Sequence, residues 1–546
     1  MALVSLPVKP FATSSHAVLL GKGGLSSPSY GGKTRELGYG KPLPRGRVVV
    51  MRERKPDHHD VEVVKDTKLD SKLLLKRSNF PPDFMFGAAS SAYQIEGAHD
   101  EGGRKPSIWD TFCHTYPEKI KDHSNGDVAI DSYHRFKEDV KVLKDMGADV
   151  YRFSISWPRI LPDGRGTPNP DGIAYYNKLI DELIANGIKP FLTLFHWDVP
   201  QALEDEYGGF LDRRIVDDFE YYSKVCFEAF GDRVKHWITL NEPSSFTRSG
   251  YDSGKNAPGR CSNRAICSAG DSATEPYIVT HNMLLAHARS VKLYREKYQD
   301  KQQGEIGITL VTQWMVPYSS SLQDTQSRMR SLDFAYGWFI QPLVHGDYPF
   351  IMRAIARERL PHFTEEETDM LMGSYDFIGI NYYTARYTQG LPMPPNPVPI
   401  SYQNDAYVNL LEAKNGVPIG EPTGTWLYSY PQGIHDLLVY TKEYYNNPKI
   451  YITENGTCEV DSDVPLDTAL NDQLRVKYYK EHLQQVHLAI RKGVNVQGYF
   501  CWSLMDNFEW SNGYTMRFGL CYVNYKDDLK RLPKASHEWF TDFLES

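Results

Sequence analysis

From Phe80 onward the sequence predicts an α/β fold, a (β/α)8 TIM barrel in a single domain with long loop insertions. Three observations predict it. Strand-like stretches rich in β-branched and aromatic residues alternate with helical stretches to the end of the chain. Eight strand stretches can be counted. The polar residues of those stretches gather at their C-terminal ends, the face on which barrels of this kind carry their chemistry.

In chain order the strands are "FMFGAASSAYQIEG", "DVYRFSISW", "KPFLTLFHW", "KHWITLNEP", "EIGITLVTQW", "YDFIGINYY", "KIYITENG" and "VQGYFCWSL". Between the second and third, "YYNKLIDELIANG" places Leu179, Ile180, Leu183 and Ile184 on one helical face and stops at Gly187. "HRFKEDVKVLKDMG" and "NDQLRVKYYKEHLQQVHLAIRKG" read as helices on the same grounds. Strand one is expected to end in Gln94 and Glu96, and strand two to carry Arg152. Strand three ends at His196-Trp197, strand four at Asn241-Glu242-Pro243, and strand six at Asn381-Tyr382-Tyr383. Strand seven ends at Glu454-Asn455, and strand eight is expected to run through Trp502 to Glu509-Trp510. No glycine-rich phosphate loop and no short repeat is visible.

Composition narrows the function. A net charge of −8 without a basic stripe argues against nucleic acid as a partner. The absence of an apolar run of about eighteen residues argues against a membrane span. Aromatic residues make up 13%, with flat apolar faces and polar edges suited equally to sugars and to a large core. Seven scattered cysteines exclude a disulfide scaffold and a zinc cluster, and no metal or cofactor is expected. Only Cys261 and Cys267, in "GRCSNRAICSAGD", lie close enough to suggest a small bridged loop. Residues 1–77 stand apart. Serine-rich and basic, with no acid before Glu36, they read as a plastid (chloroplast) transit peptide followed by a linker, leaving 78–546 as the catalytic barrel.

A barrel would turn Glu242 and Glu454 toward one cavity, with Trp, His, Asn, Gln and Arg around them. That set can cleave a glycosidic bond, one carboxylic acid protonating the leaving oxygen while a carboxylate attacks the anomeric carbon. "FMFGAASSAYQIEGA", "YRFSISWPRI", "TLFHWDVPQAL", "TLNEP", "GINYYT", "YITENG" and "CWSLMDNFEWSNGYTMRFGL" follow in order from Phe80 to Leu544. Together they resemble the motifs of glycoside hydrolase family 1, and of plant β-glucosidases within it.

The resemblance implies a retaining β-glucosidase with Glu242 as acid/base and Glu454 as nucleophile. Arg152 would hold Glu454 ionised and Tyr383 would donate to it. Glu242 must be protonated at rest, so its surroundings should be drier. Asn241 would grip the 2-hydroxyl. Gln94, His196, Glu509, Trp510 and Phe518 would bind the rest of the glucose, over Trp502 as platform. The glutamate at position 242, and not glutamine, separates the chain from thioglucosidases. Glu509 as a carboxylate would repel a 6-phosphate. The "NGT" sequon at Asn455 directly follows the nucleophile and is expected to be buried and unglycosylated.

Trp426 matches one wall of the aglycone slot, facing Ser249, Asn256 and Ser511. A slot so lined suits a bulky steroid or terpenoid aglycone, unless residues 391–402 refill it. The implied partner is a small-molecule β-glucoside, and a homo-oligomer is left open. A transglucosidase and a non-catalytic binding protein are the rival readings. The N-terminal reading has its own test: residues 1–77 fused to a fluorescent reporter should carry it to plastids. Reporter in the secretory pathway would contradict the transit reading.

Overall fold

The computed structural model describes residues 75–394, 400–462 and 464–546. The transit and linker reading of residues 1–77 lies almost wholly outside these. Eight parallel strands close into a barrel: β1 (Met85–Ala89), β2 (Val150–Ser154), β3 (Lys189–Phe195), β4 (His236–Asn241), β5 (Glu305–Val311), β6 (Phe377–Tyr382), β7 (Ile450–Asn455) and β8 (Val496–Trp502). Each strand pairs with its sequence neighbours and β8 pairs with β1, so no strand edge is left open. Helices pack around the outside, among them Ser132–Met146, Pro170–Ala185 and Gln473–Arg491. No helix among the described residues is long and apolar enough to cross a membrane.

The helix Pro170–Ala185 shows how local chemistry sets these elements. Asn169 caps it by accepting from the Asp171 amide, and Pro170 opens it where an amide hydrogen is dispensable. Leu179, Ile180 and Leu183 bury one face, and Gly187 takes the left-handed backbone just past the end. Ile184, expected on that face, is exposed instead: it lies one residue beyond the stripe that meets the barrel.

The barrel interior is layered. At its N-terminal end the rings of Phe191, Phe377, Tyr451 and Phe500 meet with centroids 5.0–6.2 Å apart, filling the floor. Above them Thr309 donates to Thr453 at 3.2 Å, beside Gly379. A Cβ on Gly379 would lie 2.2 Å from the Thr309 hydroxyl, so only glycine lets this layer close. The charged and amide side chains stand above the threonines.

Two strand ends differ from expectation. β1 stops at Ala89, and Gln94 lies on the short helix Ala92–Ile95 that follows. The change of direction is fixed where the Ala92 amide donates to Ser154 Oγ at 2.7 Å. Glu96 turns away from the barrel mouth to accept from Arg159 and Tyr176. β8 stops at Trp502, where the peptide bond to Ser503 is cis, and Glu509 and Trp510 sit on the loop and 3-10 turn beyond. Cys261 and Cys267 are disulfide-bonded, and the other five cysteines are buried and free. Asn455 is fully buried, donating to the Tyr382 carbonyl at 2.6 Å and the Tyr478 hydroxyl at 3.0 Å, which leaves no room for a glycan.

Candidate active site

Side chains alternate along a strand, so inward Tyr451 and Thr453 should put Glu454 on the outside of β7. A register shift decides otherwise. Against β6, Ile452 pairs with Ile380 but Glu454 pairs with Asn381, so one extra residue is accommodated on β7. This bulge lets Thr453 and Glu454 both face the interior. β4 repeats the device against β5, where Ile238 pairs with Gly307 and Asn241 with Thr309. Asn241 then faces inward, and Glu242 follows in a left-handed conformation (φ 44°, ψ 56°), fixed by its amide donating to the Thr309 carbonyl. Pro243 starts the helix Pro243–Tyr251 immediately after it.

The two carboxylates meet unlike surroundings. Glu454, 3% exposed, is ion-paired with Arg152, and its other oxygen accepts from Tyr383 Oη at 2.6 Å. Burial, then the charge of Glu454, holds the Tyr383 phenol well above its usual range, so it remains a donor. Arg152 is fully buried and spends its other donors on Asn241 Oδ1 (2.8 Å) and Thr193 Oγ1 (2.9 Å). Glu242 is 8% exposed, and its Oε1 accepts from Asn381 Nδ2 at 2.8 Å. Burial above all, and then the Glu454 charge, push its carboxyl up to about 7. One carboxylate thus has a cation and the other has an amide.

A continuous hydrogen-bonded chain joins them. Asn241 Oδ1 accepts from both Arg152 and Asn381 (3.2 Å), and Asn381 Oδ1 accepts from Thr453 (2.7 Å). Because that oxygen is taken, the Asn241 amide nitrogen is the donor to His196 Nε2 at 2.9 Å. His196 therefore carries its proton on Nδ1, an atom with no partner among the described residues. Burial, aided by Arg152, keeps the imidazole neutral by holding its pKa well below the usual range.

His196, Asn241, Glu242, Tyr383, Glu454, Trp502, Glu509, Trp510 and Phe518 all line one cavity of about 440 Å³, and so do Ser249, Asn256, Trp426 and Ser511. Gln94 lies behind the wall, its amide nitrogen donating to Asn507 Oδ1 and the Phe508 carbonyl, both at 2.9 Å. It anchors the loop that presents Glu509. The Trp510 ring stacks on His196 at 5.8 Å and leans on Trp197 at 4.5 Å, and Trp502 also stacks on His196 at 5.9 Å. Burial pushes Glu509 up to about 8, so at neutral pH it is mostly uncharged.

Two features escape the sequence reading. Asn381 bonds both Asn241 and Glu242; its place beside Tyr383 at the end of β6 was the available signal. Phe334 and Ala335 line the cavity from a π-helical turn, Asp333–Gly337, which no periodicity announces. Of residues 391–402, Tyr402 lines the cavity, residues 391–394 do not, and 395–399 lie outside the described residues. With Phe334 and Tyr402 the slot is more aromatic than Ser249, Asn256 and Ser511 alone imply.

Comparison with known proteins gives one answer throughout. The model of the family described as Glycosyl hydrolase family 1 matches residues 76–546. The chain is 59% identical to the furostanol glycoside 26-O-beta-glucosidase of Hellenia speciosa, over 89% of this chain and 86% of that one. It is 57% identical to Beta-glucosidase 24 of Oryza sativa subsp. japonica, over 87% and 95%. The crystal structure of the rice Os3BGlu6 beta-glucosidase superposes with a TM-score of 0.85 at 50% identity, over 86% of this chain and all of that one.

The contrast between the carboxylates is directly measurable. With 13C-labelled glutamate, a carboxyl resonance should titrate near pH 7 and vanish in Glu242→Gln. In Glu454→Gln the neighbouring charge is gone, so the Glu242 titration should move to lower pH. A titration that stays in place or rises would contradict the coupling.

Proposed function

The chain belongs to glycosyl hydrolase family 1, and from that premise we propose a retaining β-glucosidase that releases the aglycone of a plant specialised-metabolite glucoside. The observation that carries the reading is the unequal treatment of two carboxylates in one cavity. Glu454, ion-paired and hydrogen-bonded by Tyr383, attacks the anomeric carbon. Glu242, dry and shifted to about 7, gives its proton to the departing oxygen as that bond breaks. The glucose is then held as an ester of Glu454. Glu242, now a carboxylate, takes a proton from water, whose oxygen displaces Glu454 and restores the starting state. Two inversions at one carbon return the β configuration.

In this reading Asn241 offers its remaining amide hydrogen to the 2-hydroxyl, a contact that strengthens as charge develops at the anomeric carbon. Trp502 is the platform, and His196 Nδ1 donates to a glucose hydroxyl. Glu509, Trp510 and Phe518 complete the glucose site, with Gln94 holding the Glu509 loop. Transfer of glucose to another acceptor would use the same groups, and water is the acceptor proposed here. The serine-rich, basic N-terminus supports delivery to a plastid.

A bulky aglycone, of steroid or terpenoid size, is the substrate class proposed. It is supported by the volume of the cavity, by Ser249, Asn256 and Ser511 with Trp426, and by the apolar Ala406, Val408 and Leu410 beyond them. The relative from Hellenia speciosa named for a furostanol glycoside points the same way. Purified protein should release free glucose from steroid glucosides with higher kcat/KM than from nitrophenyl glucoside. Asn256→Phe should lower kcat/KM for the bulky substrate more than for the small one. Equal losses would contradict the open slot, and glucosylated acceptor without free glucose would favour the transglucosidase.

A further inference from the structure

The cavity is electrically divided. Glu242, Glu454 and Glu509 line its base, and the buried cation there, Arg152, is consumed by Glu454. Toward the mouth the lining becomes cationic, with Arg248 and Lys255 both exposed and both lining the cavity. Among the described residues neither side chain has a hydrogen bond or an ion pair within 4 Å, although the chain forms dozens elsewhere.

No acid of the surrounding segments pairs with either among the described residues. Asp405 is held instead by two bonds from Arg359 (2.6 and 2.9 Å). Asp252, which feels the Arg248 charge, is buried, and its Oδ1 accepts from nothing among the described residues. Asn256 Oδ1, on the cavity wall beside Lys255, is likewise buried and unpartnered. The last-turn position of Arg248 suits the dipole of the helix Pro243–Tyr251. That does not account for Lys255, which lies beyond the helix end.

We propose that Arg248 and Lys255 form an anion-recognising subsite at the mouth of the cavity, selecting β-glucosides whose aglycone bears a carboxylate. The inference rests on the β-glucosidase reading and adds the charge of the substrate to it. An acidic aglycone enters with its glucose toward the base, because the base holds no uncommitted cation for its carboxylate, Arg152 being paired with Glu454. Trp426, 39% exposed on the rim, gives the carbon skeleton an apolar face while the carboxylate meets the two cations. The guanidinium fits it through two parallel N–H donors and the ammonium as a point charge.

The test compares 4-carboxybenzyl β-glucoside with its methyl ester, which differ in charge far from the bond that breaks. Wild-type enzyme should favour the acid in kcat/KM by about three- to tenfold at low salt, as expected for two partly exposed pairs. The preference should shrink as ionic strength rises. In Arg248→Gln/Lys255→Gln the ratio of the two kcat/KM values should fall to about one or below. Equal rates for both substrates in the wild type, or a preference that survives the double substitution or high salt, would overturn the subsite. Direct titration of 4-(hydroxymethyl)benzoate and its methyl ester measures the mouth without turnover. Equal affinities there overturn the subsite, whereas retained preference with neither glucoside hydrolysed upholds it and sinks the β-glucosidase reading instead.

Discussion

A single buried guanidinium organises this molecule. Arg152 lies inside the barrel with no exposure to solvent, where an unpaired charge would be destabilising by several kcal/mol. Its position is tolerable only because Glu454, Asn241 and Thr193 together receive its donors. Those three bonds tie β2 to β3, β4 and β7, fixing four strands relative to one another at the level of the candidate site. They also propagate: Asn241, held by Arg152, receives Asn381, and Asn381 holds Glu242. The two glutamates are therefore positioned by one network, not by two local ones.

The same network creates the asymmetry the chemistry requires. Glu454 gains the cation and the phenol, and Glu242 is left with an amide, a dry setting and the repulsion of Glu454. Neutral His196 adds no competing charge to Glu242, because burial and Arg152 hold it unprotonated. The aromatic floor, from Phe191 to Phe500, fills the barrel beneath the network. The cavity then changes character with height, from carboxyls that are buried or paired at the base to the unpaired cations Arg248 and Lys255 at the mouth.

Much of this was legible in the sequence for identifiable reasons. β-branched runs ending in polar residues marked the strands, and Gly187 marked a helix end through its need for left-handed backbone. The joint presence of Glu242, Glu454, Arg152 and Tyr383 at strand ends made the site readable before its geometry was known. What was not legible is equally specific. The bulges on β4 and β7 turn Asn241 and Glu454 inward against the alternation of their own strands, and register is a property of pairs. The early end of β1 depends on Ser154 from another strand. The π-helical turn that presents Phe334 has no sequence period of its own. Ile184 failed for a simpler reason, lying at the edge of an apolar stripe whose width only packing decides.

The central claim is the division of labour between Glu454 as nucleophile and Glu242 as acid/base. The product formed by Glu242→Ala with dinitrophenyl β-glucoside and azide tests it most directly. Dinitrophenolate departs without a proton, so the glucosyl ester of Glu454 should form and accumulate, and azide should resolve it without a general base. β-Glucosyl azide, the outcome of two inversions, is the product this account predicts. α-Glucosyl azide would mean that the anomeric carbon was attacked only once, and would contradict Glu454 as the nucleophile.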